Sequence, residues 1–332
     1  MTRGIPPRLR RILSWAILVA IVAGGTTALL AVSIARTPVE RTVQLIVVPH
    51  PDDEFQTWSL IENRPDQYKV FVSLTRGDET GFCEPDIRAR SVQTDLGELP
   101  PTPAPPGRWT PECAEARQAS LLSYLGRMSE SDPTIPGDFG PMTEFPALPA
   151  DGVEVCRDDD GDIRCDDTVR TARVWLDAAD RGAVVFFDLG DGDLTEGEAA
   201  WALRALIANR APWGLDDVNR IGALIGAFAN DSAPCYVYPH PDHLAVHQVL
   251  WDVDFGVGPQ VGATCFLDPR QRMSALASRE AADASFARDA DGTRRGAHGV
   301  EYGWLHASTY PLAGVRQNDL FMRFQSFWVR FN

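Results

Sequence analysis

The apolar run at residues 43–48, with the sequence VQLIVV, restricts the fold more than any other part of this chain. A run so short and so uniformly apolar is typical of a strand buried on both faces of a sheet. Residues 54–62 can form a helix, and residues 70–74 are typical of a second strand. A strand, a helix and a strand within about thirty residues form a βαβ unit, which predicts a parallel sheet.

Later segments repeat this alternation of strands and helices. Strands are predicted at residues 183–187, 221–228 and 261–267, and helices at 195–209 and after His243. Thr195 and Glu198 have the spacing of a capping box, which marks the start of the first of these helices. The sequence therefore predicts one doubly wound α/β domain built on a mostly parallel sheet.

Two segments interrupt the α/β pattern. Residues 97–111 are rich in proline, and residues 129–168 are rich in proline, glycine and aspartate. Such compositions are typical of extended, solvated surface segments. We therefore expect both segments to be long loop insertions in the domain.

The N-terminal segment predicts export. Residues 12–35 contain no charged side chain and follow three closely spaced arginines. A helix needs about 20 apolar residues to cross a membrane, so this segment is long enough. Flanking arginines stay in the cytoplasm, which predicts a single-pass cell-membrane protein with residues 37–332 outside. A signal peptide cleaved after small residues is the alternative, and the protein is then secreted. In both interpretations, residues 1–36 form a separate N-terminal segment and residues 37–332 are exported.

The charge of the chain bears on its partners. It has 46 acidic and 31 basic residues, and its formal net charge at pH 7 is −15. Nucleic-acid binding needs a cationic surface, so no nucleic-acid partner is expected.

All six cysteines follow the apolar N-terminal segment, and none belongs to a C-x-x-C pair. An even number of cysteines in an exported chain indicates disulfides rather than a zinc ribbon. The sequence alone does not choose among the pairings. The simplest one joins neighbours along the chain: Cys83 with Cys113, Cys156 with Cys165, and Cys235 with Cys265.

Two short histidine motifs carry the candidate chemistry. His50-Pro-Asp-Asp53-Glu directly follows the first predicted strand, and Tyr238-Pro-His-Pro-Asp-His243 lies far downstream. In an open parallel sheet, ligands bind at the carboxyl ends of the strands. Imidazole nitrogen and carboxylate oxygen suit Zn²⁺, and they also suit Fe²⁺. We therefore expect His50, Asp53 and His243 to hold one metal ion.

The other side chains of the two motifs fit the remaining steps of a metal-assisted hydrolysis. Asp52 can take a proton from water whose pKa the metal lowers toward neutrality. His240 can stabilise an oxyanion or protonate a leaving nitrogen. Asp242 is then expected to orient His240, and Tyr238 to add a further hydrogen bond to the oxyanion.

Together the two motifs resemble those of the PIG-L/LmbE-like zinc-dependent N-acetylglucosaminyl deacetylases. The resemblance implies a Rossmann-like α/β fold and hydrolysis of the N-acetyl group of an amino sugar. It also implies the following roles: metal ligation by His50, Asp53 and His243, a general base at Asp52, transition-state assistance by Tyr238 and His240, and support of His240 by Asp242.

The resemblance suggests substrate contacts as well. Residues 75–79, Thr-Arg-Gly-Asp-Glu, are similar to a Thr-x-Gly-Glu stretch of that family, with Asp78 where glutamate is usual. Residues 117–126 resemble a family helix that carries Arg-x-x-Glu and ends in Leu-Gly, with Ser120 at the glutamate position. The candidate substrate contacts are Arg76, Asp78 and Arg117.

Some alternatives remain open at the level of sequence. The acidic turn containing Asp188, Asp191 and Asp193 fits substrate binding and a simple turn before a capped helix equally well. His247 is better explained by packing than by metal ligation. For the whole chain, the alternatives to an amino-sugar deacetylase are a non-catalytic cell-surface sugar-binding module and a hydrolase of another amide or of a phosphoester.

Overall fold

The computed structural model of this protein describes residues 41–93, 99, 107–159, 162–231, 237–264, 273–286 and 323–331. The predicted anchor or signal segment at 12–35 lies outside these ranges. Within them, no helix combines the length and the apolar character that crossing a membrane requires.

The described chain contains both helices and strands, as expected for an α/β fold, but five strands between residues 143 and 189 follow one another without a helix. The strands are β1 Thr42–Val48, β2 Gln67–Thr75, β3 Thr143–Pro146, β4 Val153–Asp159, β5 Asp162–Val169, β6 Thr171–Leu176, β7 Gly182–Leu189, β8 Ile221–Gly226, β9 Gln260–Thr264, β10 Met273–Leu276 and β11 Phe324–Arg330. The α-helices are α1 Pro85–Ser91, α2 Pro111–Ser131, α3 Glu196–Ala208, α4 Pro241–Asp252 and α5 Arg279–Phe286. Two 3₁₀ helices lie at Glu54–Leu60 and Gly81–Cys83.

Nine of these strands form one sheet in the order β10-β11-β9-β8-β1-β2-β7-β6-β3. The five central strands, from β9 to β7, are parallel. Antiparallel strands extend the sheet at both edges. From β1 the chain first adds β2 and β7 on one side, and later β8 and β9 on the other. The direction of winding therefore reverses beside β1, and ligands of open parallel sheets bind at the carboxyl ends of strands at such a point.

Apolar layers cover both faces of the sheet. Alternate residues of β1 enter different layers: Leu45 and Val47 pack on one face, and Ile46 and Val48 on the other, all fully buried. Helices α3 and α4 contribute to the first layer, and α2 and α5 to the second. The apolar run 43–48 thus reflects a strand that is buried on both sides.

Local signals explain how the elements begin and end. Helix α3 starts at the predicted position because the Thr195 hydroxyl accepts from the Glu198 N–H while the Glu198 carboxylate accepts from the Thr195 N–H. The helix predicted at 54–62 is a 3₁₀ helix instead. Its side chains are buried, including those of Phe55 and Trp58, so it is a short connector rather than an amphipathic α-helix.

The acidic segment 129–168 differs from the loop insertion that its composition predicts. It contains the end of α2, the edge strand β3, and strands β4 and β5, which pair antiparallel with each other. An Asp-Gly dipeptide between two short strands is a strong hairpin signal, and here it outweighs the acidic composition. The other predicted loop, 97–111, lies mostly outside the described residues, and its last residue begins α2.

A disulfide joins Cys83 to Cys113, which confirms the first predicted pair. Cys165 is also disulfide-bonded. The side chains of the other three cysteines lie outside the described part of the structure. The Cys83–Cys113 bridge connects the segment after β2 to the first turn of α2, and disulfides of this kind are typical of exported proteins.

Removing this bridge is expected to lower the free energy of unfolding by about 3–4 kcal/mol, because it closes a long loop in the unfolded chain. The two cysteines are 30 residues apart. Urea denaturation of the Cys83→Ala/Cys113→Ala variant measures the change. The Cys83→Ser/Cys113→Ser variant is the control, because it also lacks the bridge but places buried hydroxyl groups at the two positions. Stability within about 1 kcal/mol of the wild type in the alanine variant would contradict the expectation.

Candidate metal centre

The loops after β1 and β8 lie side by side, because these neighbouring parallel strands end at the same edge of the sheet. The first loop begins at His50, and the segment after β8 leads to His240 and His243. The His50 ring centroid is 4.7 Å from that of His240 and 5.1 Å from that of His243. The two histidine motifs therefore meet, as the sequence predicts.

Three candidate ligand atoms converge at this point. His50 Nδ1 lies 3.2 Å from Asp53 Oδ2, and His243 Nε2 lies 3.3 Å from the same oxygen. A tetrahedral zinc ion with ligand bonds of about 2.0–2.1 Å holds its ligand atoms about 3.4 Å apart. The spacing thus suits one small ion. A second group, His50 with His240 and Asp242, also brings its ligand atoms within 4.8 Å of one another.

Hydrogen bonds on the far side of each ring favour the first group. His243 Nδ1 lies 2.6 Å from the carbonyl oxygen of Phe228, which can only accept. In the neutral ring, Nδ1 therefore carries the hydrogen and Nε2 directs its lone pair toward Asp53. Nε2 is buried and makes no hydrogen bond with any described residue. A lone pair facing a carboxylate oxygen at 3.3 Å needs a cation or a proton nearby, so the residues fit a bound metal ion.

His50 is oriented in the same way. Its Nε2 lies 3.0 Å from Asp242 Oδ2 and 3.2 Å from Asp191 Oδ1. Nε2 is therefore the donor, which leaves Nδ1 to face Asp53. A carboxylate behind a histidine ligand is the usual way in which proteins fix the tautomer and the orientation of the ring.

The charges expected on the side chains of the cluster are those of a site that binds a cation. Burial lowers the pKa of His50, but hydrogen bonds to Asp191, Asp242 and Asp53 outweigh burial and raise it well above its ordinary value. Burial raises the pKa of Asp53, but its interactions with His243 and His50 hold it far below its ordinary value. Burial also raises the pKa of Asp191, but the hydrogen bond with His50 outweighs burial and the pKa falls to about 2. The buried carboxylates thus stay anionic and stabilise positive charge between them.

Asp242 has a different partner from the one that the resemblance implies. Its carboxylate is fully buried and accepts from the backbone N–H groups of Gly192 and Leu194, at 2.8 and 2.9 Å. Among the described residues, its side-chain contact is with His50, and it makes no hydrogen bond with His240. In this structure, Asp242 orients a candidate metal ligand.

Asp191 is the site residue that the sequence left undecided. It accepts from the Thr75 hydroxyl at 3.0 Å and from the Glu79 N–H at 2.5 Å, and it reaches His50. Its position in the chain was a usable signal, because it follows β7, which ends at the same sheet edge as β1 and β2. Asp188 points elsewhere and pairs with Arg173.

Asp52 lies beside the cluster and is held by Arg117. The two terminal nitrogens of Arg117 each donate to one Asp52 oxygen at 2.9 Å, and its Nε donates to the Gly77 carbonyl at 2.9 Å. Arg117 comes from α2 and is only 2% exposed. The predicted substrate contact at Arg117 is thus a clamp on Asp52 at the wall of the site.

His240 and Tyr238 also line the site. Their ring centroids are 5.8 Å apart, and the Tyr238 ring lies edge-on to His243 at 4.8 Å. His240 Nδ1 is buried and has no hydrogen-bond partner among the described residues. Burial and the charges of His50 and His243 lower the pKa of His240 to about 4. This nitrogen is therefore available to a ligand.

A cavity of about 440 Å³ opens over these groups, within the size range of small-molecule sites. Its further lining includes Glu79, Phe82, Ile87 and Arg108. The other two predicted substrate contacts do not line it: Arg76 lies outside the lining, and Asp78 is buried, which raises its pKa to about 7.

Comparison of the chain with protein-family models, curated proteins and solved structures found no match. The functional interpretation therefore depends on the chemistry of the site and on the two motifs.

Proposed function

We propose that this protein is a metal-dependent hydrolase that removes the acetyl group from an N-acetylated amino sugar, on a Rossmann-like, doubly wound sheet. One observation carries the proposal: His50 and His243 direct ring nitrogens at the buried Asp53 carboxylate, beside an open cavity. Two nitrogens and a carboxylate oxygen in this arrangement suit Zn²⁺, and they also suit Fe²⁺.

When bound there, the ion acts as a Lewis acid on the amide carbonyl and makes water acidic enough to attack near neutral pH. Asp52 accepts the proton of the attacking water, and its position on the cavity wall supports this role. Arg117 keeps the Asp52 carboxylate turned toward the cavity through its two hydrogen bonds.

His240 and Tyr238 serve the transition state. His240 presents a buried nitrogen that has no partner among the described residues, and Tyr238 lies next to it. These two groups stabilise the oxyanion by hydrogen bonds, and the proton that Asp52 took from the water passes to the sugar nitrogen as the bond between that nitrogen and the carbonyl carbon breaks. The products are acetate and the free amine of the sugar.

Three observations support an amino sugar as the substrate. The two motifs resemble those of the PIG-L/LmbE-like deacetylases, the cavity has the volume of a small-molecule site, and its lining mixes apolar Phe82 and Ile87 with polar Glu79 and Arg108. A pyranose offers both hydroxyl groups and apolar C–H faces to such a lining. The substrate is a small molecule or a glycoconjugate outside the membrane, consistent with the disulfide and the predicted export segment.

The decisive experiment measures acetate. Purified full-length protein with one equivalent of Zn²⁺ is expected to release acetate from N-acetylglucosamine, its oligomers or its glycoconjugates. Chelation is expected to stop the release, and added Zn²⁺ to restore it. Sugar binding without acetate release by the zinc-loaded protein would indicate a non-catalytic binding module instead. Zinc-dependent hydrolysis confined to other amides would overturn the substrate class.

A further inference from the structure

A second groove lies beside α4, one helical turn beyond His243, and has a volume of about 480 Å³. Trp251 lines it with 53% of its surface exposed. The Trp251 ring stands edge-on to Trp328, with 5.2 Å between ring centroids and an angle of 89°. An exposed indole supported by a second indole presents a large aromatic face to solvent.

The second indole is fixed in place. Trp328 Nε1 donates to His247 Nδ1 at 3.2 Å, and His247 Nε2 donates to the Ala227 carbonyl at 2.6 Å. The Trp328 ring also lies against Gly262, where an added Cβ would come within 2.3 Å of the ring. Trp328 is therefore held in one position, and a fixed aromatic ring in the groove lowers the entropy cost of binding a ligand.

The polar part of the groove is acidic. Glu196 and Asp231 line it, and neither has an ion-pair partner among the described residues. No lysine or arginine is among the described residues that line the groove. Burial lowers the pKa of His247 to about 4, so this histidine adds no positive charge near neutral pH. Two free carboxylates beside an aromatic face favour a cation and disfavour an anion.

We propose that this groove binds a pyranose that carries a free ammonium group, such as a glucosamine residue of a glycan. The C–H face of the ring packs on Trp251, because its positive edge meets the negative face of the indole. The ammonium group lies between the carboxylates of Glu196 and Asp231, and the hydroxyl groups bond to the polar rim that includes Gln248. The proposal does not depend on metal binding or hydrolysis at the candidate metal centre.

Calorimetric titration of the full-length protein in the presence of a chelator tests this proposal. The probes are the β-1,4-linked glucosamine tetramer, cellotetraose, which is the matched neutral glycan, and spermine, a cation without a sugar ring. We expect the glucosamine tetramer to bind at least about tenfold more tightly than either control.

Variants separate this groove from the other cavity. Trp251→Ala and Glu196→Gln/Asp231→Asn are each expected to weaken binding of the glucosamine tetramer at least about tenfold. Trp109→Ala is the matched control, because Trp109 is 43% exposed and lines neither cavity. Unchanged affinity in Trp251→Ala, or equally tight binding of cellotetraose or spermine, overturns the proposal.

Discussion

The His243→Ala variant is expected to lose stoichiometric zinc and to release acetate at least about a thousandfold more slowly than the wild type. His243 supplies the one ring nitrogen that is buried, faces Asp53 and has no hydrogen bond with a described residue. Without it, the first ligand group keeps His50 and Asp53 alone, and these two residues hold the ion too weakly to activate water. Elemental analysis gives the zinc content, and an acetate assay gives the rate.

His247 provides a matched control on the same helix. Both of its ring nitrogens are engaged by protein atoms, the carbonyl of Ala227 and the indole N–H of Trp328. The His247→Ala variant therefore loses packing but is expected to keep one equivalent of zinc. Both variants are compared at a temperature where their circular dichroism shows a folded chain. If His243→Ala retains wild-type zinc content, or if both variants lose the ion equally, the assignment of His243 is wrong.

The strands and the meeting of the two motifs were predictable because both follow from local patterns. Apart from Gln44, the run at 43–48 is apolar, and this marks a strand that is covered on both faces. His50 follows that strand directly, so a parallel sheet places it at the ligand-binding edge. Helix α3 was predictable for a similar reason, since Thr195 and Glu198 carry its start signal within four residues.

The partners of the carboxylates were not predictable, because they depend on which side chains the folded chain brings together. Asp242 lies two residues from His240 in sequence, yet its carboxylate contacts His50. Likewise, the hydrogen bonds from Arg117 to Asp52 were not predicted, whereas its predicted substrate contact stays a prediction, since Arg117 also lines the cavity. Burial restricts the partners of a carboxylate, because a buried carboxylate must accept hydrogen bonds from the donors that the fold places beside it.

The structure also explains why Asp191 belongs with the site. In sequence, the Gly-Asp-rich turn after β7 fits substrate binding and an ordinary turn equally well. In the structure, the N–H groups of its Gly192 and Leu194 hold Asp242. The same turn thus provides one carboxylate for His50 and fixes another. Three segments that follow β1, β7 and β8 therefore build one cluster, because these strands end at a common edge of the sheet.

The Asp52→Asn variant is expected to lower kcat about 10²–10⁴-fold while KM and zinc content stay close to the wild type, because general-base catalysis contributes about that much. Asparagine has nearly the same size as aspartate and keeps one oxygen that accepts from Arg117, but it loses the second hydrogen bond because its amide group donates rather than accepts. It cannot take a proton from water. Steady-state kinetics of acetate release on the zinc-loaded variant separate kcat from KM.

Loss of an ion pair also slows acetate release if it lowers stability alone, and Asp177 provides the control for this effect. Its buried carboxylate also accepts two hydrogen bonds from a single arginine, Arg181, but it does not line the cavity. Asp177→Asn is therefore expected to lower stability without a specific loss of kcat. A kcat within about threefold of the wild type in Asp52→Asn, or an equal drop in both variants, would show that Asp52 is not the base.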